Sequence, residues 1–302
     1  MKVLIFGVGG VGGFLGSYLL KTENEIFFVS RGKTFENIKK NGLILKSELE
    51  NIKYKKIKIF ENLPEKHVFD IVILTVKLYD LEFSIDYLKD FINDKTIILP
   101  FQNGVFSEEI ICKKILLKDY YGAVAQISAS INDSNEIIHH GRLATFFVGP
   151  INKNTNSKIL SNFTLDCQNK GLDMRFTKNI GCKIWEKFIF LSAYSGLTTM
   201  TRLSIGEIFE DKKYKKDFIN AMLETFELSK FYGIEFLQNP VEKWLEKINK
   251  MPYEMTSSMF LDYKRNKKLE LNWLSGFVVR SSKKFNLSCK THEEIIKNII
   301  PK

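Results

Sequence analysis

Lys2-Val-Leu-Ile-Phe6 runs directly into a glycine-rich turn, and an apolar helical pattern follows as far as Leu20. The turn has the form G-x-G-x-x-G and consists of Gly7, Val8, Gly9, Gly10, Val11 and Gly12. A strand, this turn and a helix together are typical of a dinucleotide-binding βαβ unit, in which the helix N-terminus favours phosphates. We therefore predict that Gly7–Gly12 bind a cofactor; the alternative is a glycine-rich turn that binds nothing.

The end of the second predicted strand indicates which dinucleotide is bound. The strand covers Glu25 to Ser30, and Arg31 follows it. NAD sites usually carry an acidic residue here for the ribose 2′-hydroxyl, whereas a guanidinium can hold a 2′-phosphate. Arg31, with Lys33 as a second positive charge, predicts NADP(H); the alternative is a solvated arginine in a turn.

Length and charge limit the remaining classes of protein. The chain has 302 residues, 44% of them hydrophobic, and a formal net charge of +10. This length allows two domains with their own cores. The lysines are dispersed rather than gathered in a stripe with aromatic residues, so we expect a solvated surface and no nucleic-acid partner.

Cysteine usage and hydropathy suggest the compartment. The four cysteines are far apart and form no C-x-x-C motif, which predicts reduced thiols in a cytoplasmic protein. No histidine pattern indicates a metal site. The N-terminus has glycines where a signal peptide would be apolar, and no apolar run is long enough to span a membrane.

Strands alternate with helices up to about Lys178, which predicts an α/β fold with a doubly wound sheet and added edge strands. The predicted strands after the second are 43–46, 54–60, 70–75, 96–100, 121–130, 136–140, 145–148 and 173–176. The predicted helices among them are 34–41, 81–92 and 158–169.

The pattern becomes helical from about Asn179 to the end of the sequence. We predict helices at 180–195, 205–209, 214–232, 240–248, 255–264, 271–285 and 291–299. The predicted organisation is a nucleotide-binding domain at 1–178 and an all-α substrate domain at 179–302.

Ligands of doubly wound folds bind outside the carboxyl ends of the strands. Lys77 and Asn103 each follow a predicted buried strand. Lys77 is a candidate contact for the nucleotide or an anionic substrate, with a surface lysine as the alternative. Asn103 precedes Gly104, so a plain turn is the competing interpretation.

In the helical half, Lys187 lies beside the apolar stripe of its helix. Leu191 and Ser195 follow at i+4 and i+8, so the same face carries all three side chains. A partly buried lysine there could donate a proton to a carbonyl oxygen that receives hydride, although most helix lysines are solvated. Ser258 near an apolar helix edge and Glu270 in the first turn of the next helix are further candidates.

Nine segments in this order and spacing resemble the ketopantoate reductase (2-dehydropantoate 2-reductase) family over nearly the full length. They are Gly7–Gly12, Val29–Gly32 with Asn41–Leu43, Thr75–Lys77, Gln102–Val105, His140–Arg142, Trp185–Phe188, Ser257–Met259 and Leu269–Leu271. The resemblance implies a Rossmann-type N-terminal domain followed by an all-α C-terminal domain, with substrate held between them.

The resemblance also implies an activity, NADPH-dependent reduction of 2-dehydropantoate (ketopantoate) to pantoate in pantothenate and CoA biosynthesis. It makes Lys187 the general acid and places Glu270 and Ser258 at the substrate. Asn103 would lie at the nicotinamide and the substrate, and Lys77 in the cleft. The oligomeric state is left open, with a homodimer as one alternative.

The sequence departs from the family pattern at three asparagine positions, which here are Leu191, Ser195 and Ile205. A site that recognises a substrate hydroxyl loses much when its polar partners are replaced. Two alternatives follow: a reductase of a more apolar 2-oxo acid, and a non-catalytic regulator that binds NADPH.

Overall fold

The computed structural model describes residues 1–64, 67–152 and 155–299. Its strands are β1 (Lys2–Phe6), β2 (Glu25–Val29), β3 (Leu43–Lys46), β4 (Ile52–Tyr54), β5 (Lys58–Phe60), β6 (Ile71–Leu74), β7 (Ile97–Pro100), β8 (Tyr121–Ile131), β9 (Ile137–Pro150) and β10 (Met174–Phe176). Its α-helices are α1 (Gly10–Leu19), α2 (Gly32–Asn41), α3 (Leu81–Leu88), α4 (Phe106–Lys114), α5 (Lys158–Asn169), α6 (Ile180–Thr201), α7 (Ile205–Glu210), α8 (Lys212–Phe231), α9 (Pro240–Ile248), α10 (Ser258–Lys264), α11 (Ser275–Lys284) and α12 (Lys290–Asn298).

The first compact unit comprises Met1–Gln102 and Ser107–Ile180. Its first sheet has the order β5-β2-β1-β6-β7, and all its neighbouring strands are parallel. All residues of β6 and β7 are buried, which explains their uninterrupted apolar sequences. The strand order reverses between β1 and β6, and this is the place where doubly wound sheets bind ligands.

The second sheet of this unit differs from the prediction of added edge strands. Its order is β10-β9-β3-β4, with β8 paired to β9, so these strands form a separate layer. The predicted strand at 54–60 is wrong, because β4 pairs with β3 in this sheet while β5 pairs with β2 in the first. The predicted strands at 136–140 and 145–148 are one strand, β9, which pairs with β8 on both sides of an irregularity between Ile127 and Ala129.

The second compact unit comprises Asn103–Phe106 and the chain from Gly181 onward, and α-helices dominate it. The prediction of an α/β Rossmann-type fold followed by an all-α region is confirmed. No helix in the described ranges is long and apolar enough to cross a membrane.

Several predicted helices of the second unit have different boundaries in the structure, and α6 continues to Thr201, beyond its predicted end at Ser195. The helix predicted from Met255 begins at Ser258, because the Ser257 hydroxyl accepts the Phe260 N–H and ends the preceding extended segment. The helix predicted at 271–285 divides into a short 3₁₀ helix, Leu271–Trp273, and α11. Leu274 separates them with a non-helical backbone (φ −99°, ψ −97°).

Candidate active site

The glycine turn after β1 is built on close backbone approaches. Gly7 has φ +104°, a conformation that favours glycine. A Cβ on Gly12 would lie 2.1 Å from the Gly7 carbonyl oxygen, and one on Gly10 would lie 2.3 Å from the Ala129 oxygen. A Cβ on Gly9, in contrast, would meet nothing within 4 Å. Gly7, Gly10 and Gly12 therefore serve internal packing, whereas the space beside Gly9 is open.

The start of α1 fits an anionic group. Gly9 is its N-cap residue, and no side chain caps the helix or places an acidic group in its first turn. Free backbone N–H groups at a helix start bind phosphate through hydrogen bonds and the helix dipole. The open space beside Gly9 thus coincides with backbone donors, as a bound pyrophosphate requires.

The segment after β6 supports this turn from the other side of the switch point. The Thr75 hydroxyl donates a hydrogen bond to the Gly7 carbonyl oxygen. Lys77 is half-buried and precedes a 3₁₀ helix, Leu78–Asp80, whose last N–H donates to the Lys77 carbonyl at 2.9 Å. The structure thereby brings the loops after β1 and β6 together.

Arg31 lies between β2 and α2, and 61% of its side chain is exposed. Its Nη2 donates to Asp80 Oδ2 at 2.9 Å. The neighbouring Gly32 N–H donates to Glu61 Oε1 at 3.3 Å. The arginine predicted to bind a 2′-phosphate therefore already has an acidic partner.

Gln102, the last residue before the segment that belongs to the second unit, is a further polar group at the carboxyl end of β7. Both polar atoms of its amide are inaccessible to solvent, and neither has a hydrogen-bond partner within the described chain. Buried polar groups are nearly always satisfied, so this amide is an exception at the carboxyl end of β7.

The second unit places Lys187 beside two other polar side chains. Lys187 Nζ donates a hydrogen bond to Asn103 Oδ1 at 2.8 Å. Burial lowers the pKa of Lys187 to about 8, and the negative charge of Glu270 opposes this shift. Glu270 itself is only 6% exposed. The arrangement holds an amine that titrates near neutral pH next to a buried carboxylate.

Aromatic packing fixes the turn of α6 that carries Lys187. The Trp185 ring lies 5.7 Å from the Phe188 ring and 5.0 Å from the Tyr232 ring. The Glu186 carbonyl accepts a hydrogen bond from Trp244 Nε1 at 2.6 Å. Both residues that flank Lys187 are thus anchored, which limits the positions available to its amine.

Asn103 is set by the turn that follows it. Gly104 has φ +93°, so the competing interpretation of a turn is correct for the backbone. The Asn103 side chain nevertheless accepts the hydrogen bond from Lys187, and so the residue has a second role in this unit.

The other predicted substrate residues have mixed surroundings. Leu191 is half-buried and Ser195 is buried on α6, while Ile205 is buried at the start of α7. Ser258 is the first residue of α10 and is exposed, so its predicted place within a longer helix is wrong. Glu270 occupies the N-cap position of the 3₁₀ helix, without a side-chain capping bond, rather than lying in the first turn of α11.

Two polar residues of these regions, Asp80 and Glu61, were not identified from the sequence. Asp80 and Glu61 are separated in sequence from Arg31, and only the pairing of β5 with β2 and the loop after β6 bring them to it. Gln102 lies in the segment Gln102–Val105 that carries the resemblance, but its lack of a hydrogen-bond partner is visible only in the structure. Within the described ranges, no group of three or more His, Cys, Asp or Glu could hold a metal ion.

The parallel sheet with its glycine turn defines a Rossmann-type dinucleotide-binding protein with a helical second unit. A family profile described as "Ketopantoate reductase PanE/ApbA" matches residues 3–153, and the profile of its C-terminal part matches residues 179–302. The chain belongs to the ketopantoate reductase family of oxidoreductases, which confirms the resemblance seen in the sequence.

Individual relatives are distant but extend over the whole chain. An uncharacterized oxidoreductase, YkpB of Bacillus subtilis (strain 168), is 27% identical over 99% of this chain and 98% of its own length. The 2-dehydropantoate 2-reductase of Archaeoglobus fulgidus is 26% identical over 98% of this chain and 95% of its own length.

Solved structures share the fold at lower identity. The 2-dehydropantoate 2-reductase of Geobacter metallireducens has a TM-score of 0.90 and 20% identity, and the match covers 99% of each chain. D-mandelate dehydrogenase, solved with NADH and anilino(oxo)acetate, has a TM-score of 0.88 and 19% identity over 99% of this chain and 97% of its own.

Proposed function

We propose that this protein reduces a 2-oxo acid to the 2-hydroxy acid with NADPH, and that ketopantoate is the first substrate to test. The observation that carries the proposal is the cluster of Lys187, Asn103 and Glu270, which provides an acid with a pKa near neutrality. Family membership supports the reaction class, and the production of pantoate would place the enzyme in pantothenate and CoA biosynthesis.

The residues of the first unit fit a dinucleotide. Gly9 and the uncapped start of α1 would hold the pyrophosphate, while Arg31 would contact the 2′-phosphate and Lys77 the nucleotide or the substrate carboxylate. When bound, NADPH supplies the hydride. The division into an NADP-binding domain, 1–178, and a substrate domain, 179–302, stays part of this proposal.

In the proposed reaction Lys187 provides the proton. With a pKa of about 8, its amine is mostly protonated at pH 7 and still acidic enough to donate to the carbonyl oxygen as negative charge develops there. Asn103 orients the amine through its Oδ1. The nearby Glu270 charge keeps the protonated form populated, because it raises the pKa against the effect of burial.

Substrate recognition is the part of the proposal with a second candidate. Ser258, Ser195 and Leu191 would face the substrate, and Leu191 and Ile205 offer it no hydrogen bond. These apolar side chains favour a more apolar 2-oxo acid than ketopantoate as the alternative. The neighbour solved with anilino(oxo)acetate shows that this fold accommodates such a ligand in another protein.

The test is Lys187→Ala, assayed by NADPH consumption with a panel of 2-oxo acids. We expect kcat to fall by roughly 10²–10⁴ because proton transfer is lost, with NADPH affinity nearly unchanged. The matched control is Lys230→Ala, which removes an exposed lysine of the same unit that pairs with Glu227.

A Lys187→Ala variant within a few-fold of wild-type kcat would show that another group donates the proton. A wild-type protein that binds NADPH but reduces no member of the panel would instead support the non-catalytic alternative. A homodimer stays a prediction; the related Staphylococcus aureus ketopantoate reductase is described as dimeric.

A further inference from the structure

Acidic side chains bind Arg31, the proposed contact of the 2′-phosphate, and the neighbouring Gly32 N–H. The Arg31 guanidinium donates to Asp80 Oδ2 at 2.9 Å, and the Gly32 N–H donates to Glu61 Oε1 at 3.3 Å. Asp80 is the last residue of the 3₁₀ helix after β6, and Glu61 directly follows β5. Three separate segments of the first unit thus meet at Arg31, the residue proposed to distinguish NADPH from NADH.

The strand register explains why Glu61 lies there. Val29 at the end of β2 is opposite Phe60 at the end of β5, and the Ser30 N–H donates to the Phe60 carbonyl at 3.1 Å. Glu61 directly follows Phe60, and Arg31 follows Ser30, so both residues leave the sheet at the carboxyl end of these two strands. This geometry depends on backbone pairing and holds whichever cofactor binds.

The charges have opposite effects on the two nicotinamide cofactors. A 2′-phosphate must displace Asp80 from Arg31 and approach a second carboxylate, and like charges at this range repel. A ribose 2′-hydroxyl carries no charge and can donate a hydrogen bond to a carboxylate, as in NAD sites. Arg31 therefore favours NADPH while Asp80 reduces that advantage.

We infer that Asp80 is a cofactor-selecting residue, which competes with the 2′-phosphate for Arg31 and accepts the 2′-hydroxyl of NADH. The inference rests on the proposed function and deepens it, because it predicts only a small difference in affinity between NADPH and NADH. Wild-type protein should bind NADPH at most about tenfold more tightly than NADH, whereas an unopposed arginine contact could give more.

The experiment compares wild type with Asp80→Asn by fluorescence titration of NADPH and NADH at one salt concentration. Asparagine keeps the size of the side chain and removes its charge. We expect the Kd for NADPH to fall about 5–20-fold and the Kd for NADH to stay level or rise, since the repulsion disappears while the hydroxyl acceptor weakens.

The matched control is Asp86→Asn. Asp86 lies on α3, and its carboxylate pairs with Lys89 and Lys114 rather than with Arg31. Asp86→Asn removes the same charge from the next helix, so its ratio of the Kd for NADH to the Kd for NADPH should stay within about twofold of wild type. In the Arg31→Ala background, Asp80→Asn should change the Kd for NADPH little, because the guanidinium for which Asp80 and the 2′-phosphate compete is gone.

Weaker NADPH binding by Asp80→Asn would overturn the inference, since Asp80 would then position Arg31 for the phosphate. An unchanged ratio of the two Kd values in Asp80→Asn would also overturn the inference. Binding of either cofactor would still be compatible with the proposed function. If folded wild-type protein bound neither cofactor, the proposed function itself would fail.

Discussion

The glycine turn of the first unit and the lysine cluster of the second are built in opposite ways. Gly7–Gly12 form a continuous segment whose chemistry comes from backbone N–H groups and from the absence of side chains. Lys187 and Asn103 lie 84 positions apart, and their chemistry comes from side chains, burial and a neighbouring charge.

This difference predicts different responses to substitution. A backbone site is destroyed by added atoms and is insensitive to pH, because amide N–H groups do not titrate in the working range. A side-chain site tolerates small changes of shape but depends on protonation. The following variants test whether the two regions divide in this way.

The largest expected effect separates packing from binding within the glycine turn. Gly9→Ala should keep the wild-type melting temperature, because its Cβ meets nothing within 4 Å, yet should raise the Kd for NADPH on the order of 100-fold by filling the proposed pyrophosphate space. Gly12→Ala should lose about 1–3 kcal/mol of stability as well, because its Cβ would lie 2.1 Å from the Gly7 oxygen.

Thermal unfolding and NADPH titration of both variants check this prediction. Tight NADPH binding by folded Gly9→Ala would contradict the assignment of the open space to the pyrophosphate. Equal stability of the two variants would show that the turn relaxes more easily than its geometry indicates.

An intermediate effect is expected from pH. The reductive kcat should fall above pH 8, by about tenfold per pH unit at the limit, because Lys187 loses the proton it donates as pH rises through its pKa of about 8. Glu270→Gln should move this inflection to lower pH, since the Glu270 charge raises the Lys187 pKa.

The kcat profile from pH 6 to 10 measures both effects, with Glu227→Gln on α8 as the control for loss of an exposed carboxylate. NADPH affinity measured across the same range should vary much less. An inflection that stays in place in Glu270→Gln would show that another group sets the pKa.

The smallest effect concerns the substrate. Wild-type protein should discriminate between ketopantoate and its deoxy analogue by at most about tenfold in kcat/KM, because Leu191 and Ile205 offer the hydroxyl no partner. Leu191→Asn, alone and with Ser195→Asn, should raise this selectivity; the single variant covers the case in which the larger side chain at the buried Ser195 prevents folding.

Leu223→Asn, a partly exposed position on α8, controls for an added amide elsewhere. Strong wild-type selectivity that neither variant improves would mean that Glu270 and Ser258 already supply the recognition.

The same contrast explains what the sequence could predict. The turn at Gly7–Gly12 and the buried strands β6 and β7 could be predicted because each depends on a local sequence pattern. The division at 54–60 was missed because it depends on pairing: β4 and β5 are short, and their partners β3 and β2 lie in different sheets. The single long β9 was missed for the same reason.

For the candidate site, residue types and positions could be proposed, but partners could not. The packing of Trp185 and Phe188 and the backbone of Gly104 bring Lys187 to Asn103. The pairing of Arg31 with Asp80 joins groups whose separation in sequence has no periodic pattern. An arginine alone at this position predicts a 2′-phosphate contact. An arginine paired with a carboxylate predicts a smaller preference for NADPH over NADH.

The short segment Asn103–Phe106 belongs to the helical unit although the sequence on both sides of it belongs to the other. The match to residues 3–153 therefore contains Asn103, while the match to 179–302 contains Lys187. A chain cut near residue 180 would leave Asn103 on the N-terminal fragment and Lys187 on the C-terminal one, so neither fragment would contain the whole of the second compact unit.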